Sequence, residues 1–558
     1  MIFVRIMKTK MLVKKFEFFA AFMIVLFFGV SIRAQSLTVT DVQTIIAQAV
    51  SKATSLNRKV TVSVTDKEGN LLGTFAMTDA PDATVVRSVG RAGQGLENFN
   101  AKGSAALAAQ SKAGTAGIFS AGGNAFSTRT ASFIIQEHFP AGVDFTSGGP
   151  LYGVQFSTLP CSDVAIAGLP FGLSGDPGGV PLYKNGAAVG GVGVEGDGLY
   201  TIDRSPYDND QSFEEAIAIY ATRGYESPTI IRADNILVGG LRFPFANSVD
   251  STPVSLTPFG SLSGTVLSPI KATPASDFIA TTLNGVSGLS SSRFPTVAGS
   301  ALSAAEVNQI LGNAAAIANK TRAGIRQPIG TTARVTMSVV DTDGKVLGIF
   351  RQLEAPVFGL DVAVQKARTA NFFARPDAAI KLAGAGFGSY VSRAATDGVA
   401  LNGSVAYSDR AIGFLHRPLF PDGINDTPAG PFSSLLADWS PFNVGLQSDL
   451  VRNALIGPPQ VCYSTVYTKR KVQAPCPCTA INEIRNGLQI FAGGLPIYRG
   501  STLVGAIGVS GDGIDQDDLV AAGGANTFAA PEAIRSDKFF VRAVRLPFLK
   551  FPVRPFID

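Results

Sequence analysis

Apolar residues at Val42, Ile45, Ile46, Ala49 and Val50 recur at helical spacing. Thr40 with Gln43 just ahead of them reads as a capping box, so an amphipathic helix is expected there. Val60, Val62 and Val64 then alternate with Thr61, Ser63 and Thr65. That period of two predicts a strand, and Asp66 to Gly69 supplies a turn into a second strand ending near Phe75. The pattern returns far downstream. Val307, Ile310, Leu311, Ala314 and Ala315 follow a Ser303/Glu306 box, and residues 335–356 match residues 60–81 at 11 of 22 positions. Residues 179–198 and 494–513 form a second matching pair, each read as a hairpin. A repeat with several parts in a conserved order is a duplicated domain, with a period far too long for a solenoid.

Each copy also carries a helical stretch, Lys112-Ala113-Gly114-Thr115-Ala116 or Lys366-Ala367-Arg368-Thr369-Ala370, with Phe119 or Phe373 one turn on. Residues 129–140 correspond to 410–421, and a last helix starts at the Ser212/Glu215 box or near Asp517. Helix, hairpin, helix, hairpin, helix predicts an α+β fold: two domains, each an antiparallel sheet flanked by helices. The expected boundaries are 35–245 and 301–558. Residues 246–300 are rich in Ser, Thr, Pro and Gly without periodicity and read as a linker. Residues 422–475, which hold the one tryptophan, Trp439, read as an insertion.

Composition changes this picture in two places. The net charge is +5, yet residues 1–34 hold six basic residues and one acid, leaving 41 basic against 41 acidic residues beyond them. A neutral body excludes the electrostatic footprint of a nucleic-acid binder. The basic start, the apolar run 18–30 and a small residue at Ala34 read as an export signal in 1–34, cut near Ala34. The run is too short to span a bilayer comfortably. The expected destination is therefore the periplasm or the extracellular space. Export permits disulfides among the four cysteines: Cys462 with Cys478 is the preferred pair, Cys161 and Cys476 occupying matching positions.

The ordered motifs, V-x-V-x-D-x-x-G-x-L-L, K-A-x-T-A and the late G-G-x-P-x-Y…V-G-x-x-G-V-x-G-D, resemble the GlcG/HbpS family of haem-binding proteins, here in tandem. The resemblance implies profilin-like domains, self-association, and binding of haem or a similar flat apolar ligand for sensing, scavenging or storage without catalysis. An interaction protein that keeps the fold without haem, or a haem-degrading enzyme, are the alternatives. For the helix with K-A-x-T-A it implies that Thr115 and Thr369 offer a hydroxyl to the iron or its water, and Lys112 and Lys366 would meet a propionate. The opposing possibility is structural: small residues let a helix pack closely on a sheet. Arg129 and Arg410, at matching positions, suit a propionate carboxylate or an internal Asp.

Other motifs carry less. His138 falls opposite Leu419 and His416 opposite Ile135, so neither belongs to a site present in both copies. Gly191-Val192-Gly193-Val194-Glu195-Gly196 spells a dinucleotide fingerprint but ends a hairpin instead of opening a βαβ unit, so its glycines are expected to admit a packed helix. Asp197, Asp203, Asp208 and Asp210, with Asp512, Asp515, Asp517 and Asp518, lack calcium-loop spacing, and helix capping accounts for some of them.

Overall fold

The computed structural model describes residues 35–90, 93–205, 208–456 and 477–557. The expected signal segment, Cys462 and Cys476 lie outside the described residues. In the first repeat the chain forms α1 (Val39–Ser55), β1 (Thr61–Asp66), β2 (Leu71–Met77), α2 (Ser104–Phe119), α3 (Thr128–Ile134), β3 (Gly179–Lys184), β4 (Ala187–Glu195) and α4 (Phe213–Ala221). The capping box of α1 is Thr38 with Asp41, two residues earlier than expected. Asp41 wins because it is the residue whose carboxylate accepts from the Thr38 backbone N–H, at 2.7 Å.

Residues 246–300 are not a linker. They contribute β5 (Gly264–Ser268), β6 (Phe278–Leu283) and β7 (Val286–Ser291). The second repeat continues with α5 (Ala304–Ala318), β8 (Thr336–Val340), β9 (Val346–Gln352), α6 (Gly359–Phe373), α7 (Ala378–Leu382), α8 (Gly388–Thr396), α9 (Asp409–Leu415), α10 (Leu446–Ile456), β10 (Gly494–Arg499), β11 (Thr502–Ser510) and α11 (Ile514–Gly524). The Ser303/Glu306 box starts α5 as expected, and Ser212 caps α4. Each repeat ends on a two-residue strand pairing, Leu237–Val238 with Leu241–Arg242 and Phe540–Val541 with Val544–Arg545.

Both sheets are antiparallel and run in the same order. The first is β3-β4-β1-β2-β5, and the second is β10-β11-β8-β9-β7-β6. Thus the intervening segment supplies the outer strand of each sheet. Its outer strands, β5 and β6, escaped the hydrophobic pattern because an outer strand buries little: Gly264, Thr265, Val266 and Leu267 are all exposed.

In β1 both faces are buried. The Val62 and Val64 face meets α1, whereas the Ser63 and Thr65 face lies under α2. That polar face is buried because Gly191 and Gly193, paired with Thr65 and Ser63, let the α2 backbone come down onto the sheet. A Cβ at Gly193 would sit 2.2 Å from the Ala109 carbonyl oxygen, and Gly508 plays the same part under α6. The false dinucleotide fingerprint is this packing surface.

Residues Leu37–Asp558 form one compact unit. Residues 154–163 of the first repeat lie against α6. There buried Asp361 accepts from Thr158 N (2.6 Å), Ser162 Oγ (2.5 Å) and Asn486 Nδ2 (2.9 Å), and Arg368 pairs with Asp163 at 2.8 Å. The disulfide is Cys161–Cys478, across the repeats, with a Cα–Cα distance of 5.0 Å. This replaces the Cys462–Cys478 pairing. Cys161 has no partner in its own repeat, and the crossing of 154–163 into the second repeat brings it to Cys478.

Candidate functional site

The six residues expected to touch a ligand form three matching pairs, one member in each repeat, and each bonds to groups of the protein itself. Lys112 projects from α2 into the sheet and is fully buried, with Nζ at 2.8 Å from Asp176, 2.9 Å from Glu195 and 2.6 Å from Glu214. It also donates to the Val194 carbonyl at 3.0 Å. Lys366 repeats the arrangement with Asp517 at 2.9 Å and the Val509 carbonyl at 2.8 Å. Its surroundings are somewhat less acidic: Ser510 stands where the first copy has Glu195 and Phe491 where it has Asp176, while buried Asp409, where the first copy has Thr128, adds one acid that Lys366 offsets. The Phe491 ring lies 4.5 Å from Lys366 Nζ. Neither ammonium reaches solvent, so neither meets a propionate.

Thr115 and Thr369 are equally committed. Each donates to the carbonyl four residues back, Ser111 at 2.7 Å and Gln365 at 2.8 Å. Each also accepts a backbone N–H from the loop above, Ser174 at 2.7 Å and Gln489 at 2.9 Å. Arg129 binds Glu215, Asp203 and Asp210 at 2.7, 2.7 and 2.8 Å, and Arg410 binds Asp518 and Asp515 at 2.5 and 2.7 Å. The helix with K-A-x-T-A is thus conserved between the copies as a frame that ties helix, sheet and loop together. Its polar groups face inward because helix and sheet both press on it. His138 Nδ1 lies 2.7 Å from the Thr146 carbonyl oxygen. His416 Nδ1 lies 2.7 Å from that of Ile412, and burial holds this ring's pKa down to about 3, so it stays neutral.

Three carboxylates around one ammonium leave excess negative charge where no water can offset it. Burial, against the pull of Lys112, pushes Glu214 up to about 8. Burial likewise pushes Asp517 up to about 7 against Lys366. Both folded values exceed the unfolded ones, so between about pH 4 and 8 the folded state holds more protons and stability is lost as pH rises through that window. Thermal unfolding should show the melting temperature falling from pH 5 to pH 8.5, with a flatter slope in Glu214→Gln combined with Asp517→Asn. An unchanged slope in that variant would refute the assignment.

The cavity suited to an apolar ligand lies where the repeats meet, in no single copy. It encloses about 300 Å³. Its walls include Phe119, Phe126 and Phe243 from the first repeat, and Phe358 and Ile514 from the second. Phe119 and Phe358 meet edge to face with centroids 4.8 Å apart, and the Phe358 N–H donates to the Ile118 carbonyl at 3.1 Å. At one end stand Asp515, Gln516 and Asp517. Sequence reasoning noted Phe119 but not the slot, since its partner Phe373 packs instead on Phe432.

The aromatic walls offer apolar surface to a flat ligand. They offer little to a metal: among the described residues no His, Cys, Met or Tyr lines the slot, and its two carboxylates are engaged by Lys366 (Asp517) and by Arg410 and Lys550 (Asp515). The slot is therefore built for apolar stacking and not for tight axial ligation.

No curated protein matches the chain. Among solved structures, it is similar to the Klebsiella pneumoniae protein ORFY (21% identity, TM-score 0.22, 35% of this chain and 94% of that one). It is also similar to a PduOC:haem complex (21%, 0.22, 35% and 99%) and to a double mutant of HbpS from Streptomyces reticuli (20%, 0.21, 35% and 90%). Residues 461–526, which include β10, β11 and α11, match the family model described as "Haem degrading protein HbpS-like".

Proposed function

We propose that this chain binds a flat, mainly apolar ligand of the haem class, reversibly and without acting on it, in the slot between its two repeats. The observation that carries this is the aromatic slot itself, walled by both copies and lacking a strong metal donor. The HbpS-like match in the second repeat supports the ligand class. Export belongs to the same proposal, supported by the leader-like start of the sequence and by the disulfide, which persists in oxidising compartments.

Titrating the purified protein with hemin and following the Soret band should give saturable binding at one equivalent per chain, because the two repeats build one slot between them. Val238→Trp, at the rim, should weaken binding by about tenfold or more by filling the opening. Two equivalents, or full affinity in Val238→Trp, would move the site elsewhere.

Self-association is the second part of the proposal. β6 ends its sheet, and the strand Phe278–Leu283 carries no charged residue while Ile279 is 58% exposed. Outer strands of this kind pair readily with another chain.

A further inference from the structure

The first repeat uses α3 to hold a piece of its own chain. Between β4 and α4 it makes a long loop, 196–212, and Asp203 of that loop sits on the helix. Arg129 Nη1 binds its carboxylate at 2.7 Å. Ser132 Oγ accepts its N–H at 2.9 Å and donates to its carbonyl at 3.2 Å. Gln136 Nε2 donates to the same carbonyl at 2.7 Å. A carboxylate on a short backbone is thereby bound in a place built by residues at positions 129, 132 and 136.

The second repeat builds the place without the occupant. In α9 and the residue that follows it by two, Arg410, Gly413 and Arg417 stand at the positions of Arg129, Ser132 and Gln136. But β11 passes to α11 through residues 511–513 alone, so no loop corresponding to 196–212 is available to reach α9. What lies there is an open cleft of about 450 Å³, walled by Arg410, Gly413 and Arg417, by Phe414 and Phe491, and by the closing segment 545–550.

Its charge balance favours an anion. Arg410 spends Nε and Nη2 on Asp518 and Asp515, and its Nη1 makes no hydrogen bond among the described residues. Arg417 is only 8% exposed, its nearest carboxylate, Asp422, is 3.6 Å from Nε, and its Nη1, without a hydrogen-bond partner, lies toward Gly148 at the back of the cleft wall. Arg545 lines the cleft and forms no ion pair among the described residues. The acids in the wall have other partners: Asp537 pairs with Arg535 at 2.6 Å, and Asp422 accepts the Gly148 N–H at 3.1 Å. A buried guanidinium nitrogen without an acceptor is costly, and a carboxylate oxygen is the acceptor its geometry suits.

We infer that this cleft is a second binding site, for a small organic carboxylate with an apolar body, whose carboxylate takes against α9 the place that Asp203 takes against α3. Phe414, Phe491 and Phe548 would pack the body. The site is separate from the slot, although Ile514 borders both, and it stands whether or not the slot takes haem.

Isothermal titration of the purified protein with 3-phenylpropionate, and with its uncharged amide as the matched probe, tests this. The carboxylate should bind saturably and the amide at least about tenfold more weakly, because charge-assisted bonds to guanidinium are lost. Arg417→Gln, which copies the first repeat's residue, should reduce carboxylate binding by about tenfold. Arg417 also lies over the Tyr152 ring at 4.4 Å, so Arg545→Gln, at an exposed position, provides the same reading without touching the core. Absent binding of the carboxylate, equal binding of the amide, or unaltered affinity in Arg545→Gln and folded Arg417→Gln would each overturn the assignment.

Discussion

Lys112→Met is expected to lower the stability of the protein by about 3–5 kcal/mol, the range for removing one partner of a buried ion pair. The methionine replaces much of the lost volume, so the effect is electrostatic. Asp176, Glu195 and Glu214 would be left facing one another with no cation. They can relieve this only by taking up protons, which their unfolded forms release above about pH 4. Burial already raises all three pKa values in the presence of Lys112, and removing the ammonium raises them further. The loss should therefore be larger at pH 8 than at pH 6, since the folded state must hold protons that solution no longer supplies. Lys366→Met should lose less, because it strands two buried acids, Asp517 and Asp409, where Lys112→Met strands three. Urea unfolding of both variants at the two pH values measures this. Equal losses, or a loss independent of pH, would show that the triad is not the source.

Cys161→Ser is expected to lower stability by about 2–4 kcal/mol. The bridge closes a separation of 317 residues, so in the unfolded chain it restricts a very large loop, and the entropic benefit grows with loop length. It also fixes residues 154–163 against α6, where Asp361 and Arg368 make their contacts with the first repeat. Non-reducing peptide mapping gives the direct check. A linked Cys161/Cys478 peptide is expected, and a Cys462/Cys478 peptide in its place would overturn both the pairing and the predicted loss. The comparison variant Cys462→Ser should leave the Cys161/Cys478 peptide intact.

Much of the framework was legible in the sequence because it rests on local physics. The alternation at Val60, Val62 and Val64, the turn glycine Gly69 at φ +86° and the Ser303/Glu306 cap depend on residues a few positions apart. The duplication, being a comparison of the chain with itself, located equivalent elements in both copies. The candidate ligand residues were identified as special for a sound reason, their recurrence, and in the fold they bond to the protein's own groups. Lys112 finds Glu214 102 residues away, and Arg129 finds Glu215 86 residues away. Nothing in the local pattern says whether a charged side chain on a helix faces water or a buried acid. The strands of 246–300 were missed because exposed outer strands need no apolar alternation.

By itself the sequence determined the duplicated order of elements, the antiparallel hairpins, the capped starts of α4 and α5 and the neutrality of the body, since each follows from short-range periodicity, turn chemistry or composition. Tertiary structure alone decided that Lys112, Lys366, Thr115, Thr369, Arg129 and Arg410 bind the protein's own groups, that Cys161 meets Cys478, and that an aromatic slot opens between the repeats. It also decided that one copy fills its helix-side cleft with Asp203 while the other leaves it open. These outcomes depend on which distant surfaces are pressed together, and burying a charge or an aromatic face is settled only when the element covering it is in place.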